Sequence, residues 1–140
     1  MNKKILLLIA LLVAVAGGVY AWAEYNRTVA STSDIDAKEH VSAEALLSAF
    51  TADEQAATAR FVGTTEQVVE VSGTIRSMEP VGAEMTNVVL ETGNDLAGVV
   101  CEFANSELHP EWRSGAQVKV KGICTGILMD VVLVRCTAVE

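Results

Sequence analysis

Hydrophobic residues follow three successive patterns along this chain, and each pattern is typical of a different structural element. An uncharged apolar run of 19 residues extends from Ile5 to Ala23. Apolar residues then recur at helical spacing between residues 41 and 61, and from Glu66 onward they alternate with polar residues in short segments bounded by turn-forming residues. The sequence therefore predicts a long apolar helix, a shorter amphipathic helix and a β-domain.

The apolar run has the length of a membrane span, since 19 residues at about 1.5 Å each form roughly 28 Å of helix. Trp22 and Tyr25 stand at its end, where amphipathic aromatic residues favour a membrane interface. Lys3 and Lys4 precede the run, and no base follows it before Arg27. We therefore expect the N-terminus to remain in the cytoplasm.

Two interpretations of residues 1–25 are open, a signal segment that is removed and an uncleaved membrane anchor. Ala21-Trp22-Ala23 has the small-x-small pattern of a cleavage site, but the run exceeds the usual signal core of about 7–15 residues. We favour the anchor on that length. The prediction is a single-pass protein of the cytoplasmic (inner) membrane, held through residues 5–23, with its C-terminal domain on the periplasmic or extracytoplasmic side.

Residues 26–40 are polar and lack apolar periodicity, which predicts a flexible linker, and residues 41–140 then form a helix plus the β-domain. Ser42 is placed to cap the helix, and Thr51 with Glu54 gives a second capping signature at which the helix is expected to break. One apolar stripe recurs at helical spacing: Leu46, Leu47, Phe50, Ala57 and Phe61. We expect this stripe to cover one end of the β-domain, and a docking face for a partner protein is the alternative.

Five strands are predicted in the β-domain, with a crossover after the third. They lie at about residues 69–75, 87–91, 98–103, 117–127 and 131–139. Residues 104–115, with Pro110 and Trp112, form the crossover. Three strands, a crossover and two strands is the order of a five-stranded OB barrel. The predicted fold class is mainly β, a five-stranded OB-fold barrel preceded by an amphipathic helix and an N-terminal transmembrane helix.

Four segments of the β-domain carry a resemblance to a known family: Val69–Ile75, Cys101–Phe103, Val118–Gly126 and Asp130–Leu133. They resemble the tRNA_anti-like family of bacterial OB-fold proteins, which often have an N-terminal membrane segment and are described as envelope proteins or lipoproteins. The resemblance implies an OB fold and a place in the cell envelope, and it brings no catalytic residue with it. This chain departs from the lipoprotein members because it has no cysteine near its N-terminus.

Strand alternation directs all three cysteines, Cys101, Cys124 and Cys136, toward the barrel interior. In a hairpin centred on Asp130, Cys124 lies opposite Cys136, and we hypothesise a Cys124–Cys136 disulfide that staples the last hairpin. Cys101 would then be a buried free thiol. Cys101–Cys136 is the competing pair, because the third and fifth strands of an OB barrel are neighbours. A disulfide suits a small exported domain.

Composition and charge argue against several classes of function. The net charge is −8, and residues 61–140, with eleven acidic and five basic side chains, carry −6 of it. Affinity for nucleic acid depends on basic side chains that neutralise phosphates, so this charge disfavours it. His40 and His109 are the only histidines, and they provide neither clustered metal ligands nor a positioned catalytic base. We therefore expect no enzyme, no cofactor and no metal site.

The sequence thus predicts a tethered, non-catalytic binding module whose unknown ligand in the cell envelope is a protein, a peptide or an oligosaccharide. We expect this ligand to lie between the loops near Pro80 and Met129, with Trp112 and His109 at the rim. Single-stranded nucleic-acid binding by the OB fold is the alternative. The candidate ligand-binding residues of these two hypotheses are Lys119, Lys121, Arg135 and Trp112.

Overall fold

The computed structural model of this protein describes residues 2–26 and 31–140. Within these ranges the helices are α1 (Lys3–Tyr25), α2 (Ala43–Ala52) and α3 (Glu54–Ala57), the last continued by a π turn over Thr58–Val62. The strands are β1 (Glu39–Ser42), β2 (Val68–Val81), β3 (Met85–Leu90), β4 (Val99–Ala104), β5 (Gln117–Ile127) and β6 (Val131–Ala138). Short 3₁₀ turns lie at Thr32–Asp34 and Asn105–Glu107.

Strands β2 to β6 form a closed five-stranded barrel, which confirms the predicted fold class. β2, β3 and β4 pair in antiparallel order, β4 pairs with β6 in parallel, and β6 pairs with β5 in antiparallel fashion. β5 returns to β2 and closes the barrel, with Val68 opposite Ile123 and Thr74 opposite Gln117. β2 is long enough to serve both neighbours, since it pairs with β5 up to Thr74 and with β3 from Ile75 onward.

Strand β1 was not predicted from the sequence. It runs parallel to β2, with Glu39 opposite Val69 and Ser42 opposite Ser72. Its four residues contain a single large apolar side chain, Val41, which is too few for an alternating pattern to be recognised. β1 leads directly into α2 and places that helix against the barrel.

The predicted apolar stripe lies in the core, as expected for a helix that covers one end of the barrel. Leu46, Phe50 and Phe61 are buried in the same cluster as the inward side chains of the strands. The rings of Phe50 and Phe61 lie 6.0 Å apart. Gly73 on β2 permits the close approach of α2 to the barrel, because a Cβ at this position would lie only 3.2 Å from the Cβ of Ala43, the first residue of α2.

The caps of the two short helices agree with the sequence at one position and differ at the other. Ser42 Oγ accepts a hydrogen bond from the N–H of Ala45 at 3.1 Å, as predicted. The helix breaks near the expected place, but the cap of α3 is Asp53, whose Oδ1 accepts from the N–H of Ala56 at 3.0 Å. Thr51 was the wrong choice of cap because its hydroxyl donates back to the carbonyl of Leu47 at 2.9 Å.

Helix α1 has the length and composition needed to cross a membrane. It is 23 residues long and has a mean hydropathy of 2.5, and none of its residues is buried against the rest of the described chain. Trp22 lies near its C-terminal end and Tyr25 is its last residue, so both are placed where a bilayer interface would be.

Part of the predicted linker lies on the barrel. Residues 27–30 are outside the described residues, but Thr32 is buried against β6. Its hydroxyl donates to the carbonyl of Arg135 at 2.6 Å and lies 3.2 Å from the hydroxyl oxygen of Thr137. Since the Thr32 proton is directed at the carbonyl, Thr137 is the donor in the second bond. A threonine within a polar segment carries no pattern that would reveal such a long-range contact.

We expect Thr32→Val to destabilise the barrel by about 1–3 kcal/mol, because it removes the hydrogen bonds that the buried Thr32 hydroxyl makes with the Arg135 carbonyl and the Thr137 hydroxyl. Chemical unfolding followed by circular dichroism measures the change. Ser33→Ala is the matched control, since Ser33 is exposed and its loss should cost less than about 0.5 kcal/mol. Equal stability of the two variants would show that residues 31–35 do not pack on the barrel.

Candidate ligand-binding groove

A cleft of about 760 Å³ lies along the line where β5 closes the barrel against β2. Its walls come from β1, β2, the start of β5, the end of β6 and the crossover, and include Ser42, Ser72, Thr74, Gln117, Lys119 and Trp112. A second, smaller cavity of about 260 Å³ continues toward β1 and shares Ser42, Ser72 and Lys119. We call the two together the seam groove.

The floor of the seam groove consists of polar side chains in transverse rows. Ser42, Ser72 and Lys119 face one another across β1, β2 and β5, because Ser72 is the registered partner of both. Thr74 and Gln117 form the next row toward the crossover. Neighbouring strands are about 4.8 Å apart, so each row offers hydroxyl, amide or ammonium groups at regular spacing.

A further row lies at the β1 end of the groove. His40, Glu70 and Lys121 are in register across the same three strands. His40 Nδ1 lies 3.3 Å from Glu70 Oε1. His40 and Glu70 line the smaller cavity, whereas Lys121 lines neither cavity, so this row contributes a carboxylate and an imidazole to the groove.

Trp112 forms the aromatic wall at the other end. Its indole packs edge-to-face on the buried ring of Phe103, with centroids 5.3 Å apart and an interplanar angle of 89°. The His109 ring also stacks on the indole, with centroids 6.4 Å apart and an angle of 27°. Trp112 is only half-buried, so the core fixes its orientation while part of the ring faces the groove.

The sequence predicted Trp112 and His109 at the rim of a site, but in a different place. Neither Pro80 nor Met129 lines the groove. The crossover folds back over the start of β5, where the Gly115 N–H donates to the Ile75 carbonyl at 2.8 Å. That contact brings Trp112 to the β2–β5 line, and no sequence pattern reports it.

The predicted cluster of three bases is only partly present. Lys119 lines both cavities of the groove. Lys121 Nζ donates to the carbonyl of Ile35 at 3.2 Å, and Arg135 Nη1 lies 3.3 Å from Glu66 Oε2. Two of the three bases thus contact groups of their own chain, and Lys119 is the one that the structure brings together with Trp112.

The outward face of β3 and β4 is the usual ligand surface of an OB barrel. Its side chains in this chain include Asn87 opposite Glu102 and Val89 opposite Val100. None of these four is basic or aromatic, so this surface lacks the groups that stack on bases or neutralise phosphates.

The cysteines do face inward, as predicted, but the predicted register of the last hairpin is wrong. Ile127 pairs with Val131, so the turn is centred on Met129 instead of Asp130, and a bulge shifts the pairing further. Cys124 therefore lies opposite Leu133, not opposite Cys136. This removes the geometric basis for a Cys124–Cys136 disulfide, and all three cysteines are free thiols in the structure.

Cys136 instead lies between Gly122 and Cys101. A Cβ at Gly122 would lie 2.6 Å from Cys136 Sγ, so only glycine fits beneath the sulfur. The pKa of the Cys136 thiol is raised well above its ordinary value, chiefly by burial and also by a hydrogen bond with Cys101. Burial also raises the pKa of Cys124. Buried thiols with raised pKa values are poor nucleophiles.

The closed barrel with its crossover and covering helix defines an OB-fold protein. The chain belongs to the tRNA_anti-like family, which it matches over residues 1–138. No protein of curated function is similar to it.

Solved structures that are similar to the chain include the following two. One is a lipoprotein from Klebsiella pneumoniae subsp. pneumoniae for which nucleic-acid binding has been suggested, with 16% identity, a TM-score of 0.56, and coverage of 71% of this chain and 91% of that one. The other is that of yeast Stn1 and Ten1, with 12% identity and a TM-score of 0.47. That match covers 75% of this chain and 64% of the other. At 16% identity the likeness to the lipoprotein supports the fold alone.

We expect the three native thiols to resist alkylation at neutral pH and to react only after unfolding, because each is buried and the thiolate is the reactive form. A Met129→Cys variant is the positive control, since Met129 is exposed. Mass spectrometry of peptides prepared without reductant measures the alkylation of each cysteine and detects any disulfide. Any disulfide that forms should join Cys101 to Cys136, and an abundant peptide linking Cys124 to Cys136 would contradict the observed register.

Proposed function

We propose that this protein is a membrane-tethered, non-catalytic OB-fold binding module and that its seam groove binds an oligosaccharide of the cell envelope. The observation that carries the proposal is the combination of polar rows on β1, β2 and β5 with the partly exposed indole of Trp112. Helix α1 is the membrane anchor in this proposal, and the barrel lies on the extracytoplasmic side.

The chemistry of the groove suits a sugar chain. Sugars present many hydroxyl groups at short intervals together with apolar C–H faces. Ser72, Thr74 and Gln117 supply donors and acceptors at comparable intervals, and Trp112 supplies an apolar ring surface. OB folds are known to bind both oligosaccharides and oligonucleotides. The cavity of about 760 Å³ is also within the usual range for ligand pockets, about 300–1,000 Å³.

A peptide added as an extra strand fits this groove less well. Such peptides bind through the unpaired backbone groups of a strand edge. Residues 69–72 of β2 are paired with β1 on one side and with β5 on the other, so a peptide strand could be added only at the outer edge of β1, which is four residues long. Recognition in the groove therefore depends on side chains, which favours a ligand rich in hydroxyl groups.

Nucleic-acid binding is the second candidate, because it has been suggested for the Klebsiella lipoprotein of the same fold. Phosphate recognition requires several bases that neutralise the backbone. The groove contains Lys119, but it also contains Glu70 and Glu140, and the chain carries a net charge of −8. These charges favour an uncharged ligand over a polyanion.

The proposal assigns no catalytic residue. His109 Nδ1 accepts a hydrogen bond from the N–H of Glu111 at 3.3 Å, which occupies the lone pair that a general base would use. Across residues 2–26 and 31–140, no three histidine, cysteine or acidic side chains are grouped as metal ligands.

We expect a hexasaccharide to quench the fluorescence of Trp112 saturably in the full-length Trp22→Phe chain, in which Trp112 is the only tryptophan. Chitohexaose, cellohexaose and maltohexaose serve as probes in detergent. Gln117→Ala should weaken binding by roughly fivefold to tenfold, the loss of about one hydrogen bond. Asn87→Ala, which removes an amide from the β3–β4 face, is the matched control and should change nothing.

Salt separates the two candidates. Oligosaccharide binding should be the same at about 50 and 200 mM salt, whereas a phosphate-driven contact weakens strongly over that range. A thymidine oligonucleotide that binds in a salt-dependent manner and loses affinity on Lys119→Ala, while no hexasaccharide binds, would replace the proposed ligand with nucleic acid.

A further inference from the structure

We propose that Leu96, Leu128 and Met129 form a docking tip that inserts into the interface of the same bilayer that α1 spans. These three side chains, which we call the apolar tip, are exposed by 85%, 93% and 76%. The next most exposed large apolar residue of the described barrel strands and loops is Val81, at 51%. Exposed apolar residues of this size mark contact sites when they occur together.

Hydrogen bonds hold the two loops of the apolar tip side by side. The N–H of Gly98, in the β3–β4 loop, donates to Asp130 Oδ1 at 2.7 Å, and the N–H of Val131 donates to the Gly98 carbonyl at 3.1 Å. Within the first loop, the Leu96 N–H donates to Asn94 Oδ1 at 2.9 Å. The tip is therefore organised before it meets a partner, which lowers the entropic cost of contact.

The tether keeps the barrel close enough to the membrane for this contact. Only six Cα–Cα steps separate Asn26, at the end of α1, from Thr32, which is fixed on β6. That length of chain spans at most about 20 Å. From Arg135, the partner of Thr32, β6 runs four residues back to Val131 beside the tip, a distance of about 13 Å. The tip can thus reach the surface from which the tether emerges.

The shape and charge of the tip favour lipid as the occupant. Its three side chains project from the ends of two loops, which suits insertion between lipids, whereas a helix or strand of a partner would need a groove. Asp95 and Asp130 lie in the same loops, so attraction to anionic headgroups is not the driving force. We therefore expect docking on zwitterionic phosphatidylcholine without any requirement for anionic lipid.

The inference rests on the proposed anchoring by α1 but not on the ligand of the seam groove. The apolar tip and the groove share no residue, so each is tested by its own measurement. A chain that still binds the oligosaccharide but whose apolar tip does not contact lipid would contradict the membrane docking and leave the proposed groove ligand in place.

The test attaches an environment-sensitive fluorophore to Met129→Cys in the full-length chain, reconstituted in phosphatidylcholine nanodiscs that contain lipids with a quencher near the headgroup. Intact mass verifies that residues 1–25 are present. The buried native thiols limit labelling to the new cysteine. Val81→Cys is the matched control, because Val81 is an exposed apolar residue on a different hairpin. We expect quenching at position 129 to exceed that at position 81 severalfold.

A second substitution separates lipid contact from contact with another protein copy. Leu96→Glu in the Met129→Cys chain should reduce the quenching to the level of the control, whereas Val81→Glu should leave it unchanged. Equal quenching at positions 81 and 129 would overturn the proposal. So would a fluorescence change at position 129 that needs no quencher lipid and grows with the number of chains per disc, since it would identify a second copy as the occupant.

Discussion

The antiparallel pairing of β2 with β5 is the interaction on which the rest of this structure depends. It joins the first strand of the barrel to the fourth, from Val68–Ile123 to Thr74–Gln117, and turns an open sheet into a closed one. Closure brings the inward side chains of all five strands into one core. It also removes the free edges that an open sheet of this size would expose.

The seam groove is a product of that closure. The inward residues of the paired segments, such as Val71 and Val120, are fully buried, and the outward residues beside them, Ser72 and Lys119, form the groove floor. Trp112 connects the core with the groove, because its ring packs against Phe103 and also borders the groove. The β2–β5 floor of the candidate site therefore follows from the closure of the barrel, and β1 and the crossover add its walls.

Much of the fold was predictable because its signals are local. Alternation located all five barrel strands and the inward side chains of β4, and Ser42 gave the start of α2. The errors concern contacts between distant residues and small shifts in register. One residue in the position of the last turn, together with a bulge, was enough to move Cys124 from Cys136 to Leu133. Likewise, the sequence predicted Trp112 at the rim of a site, but only the fold of the crossover shows which strands it borders.

Hydrogen exchange of the full-length chain in detergent, read by mass spectrometry, tests the central claim most directly. If β2–β5 pairing closes the barrel, peptides covering residues 68–74 and 117–123 should be among the slowest to exchange. The amides of the β2–β3 turn, residues 82–84, should exchange much faster, since hydrogen bonds in cooperative core units open only with global unfolding. Exchange of residues 117–123 as fast as that of the turn would show that β5 does not close the barrel and that the seam groove does not exist.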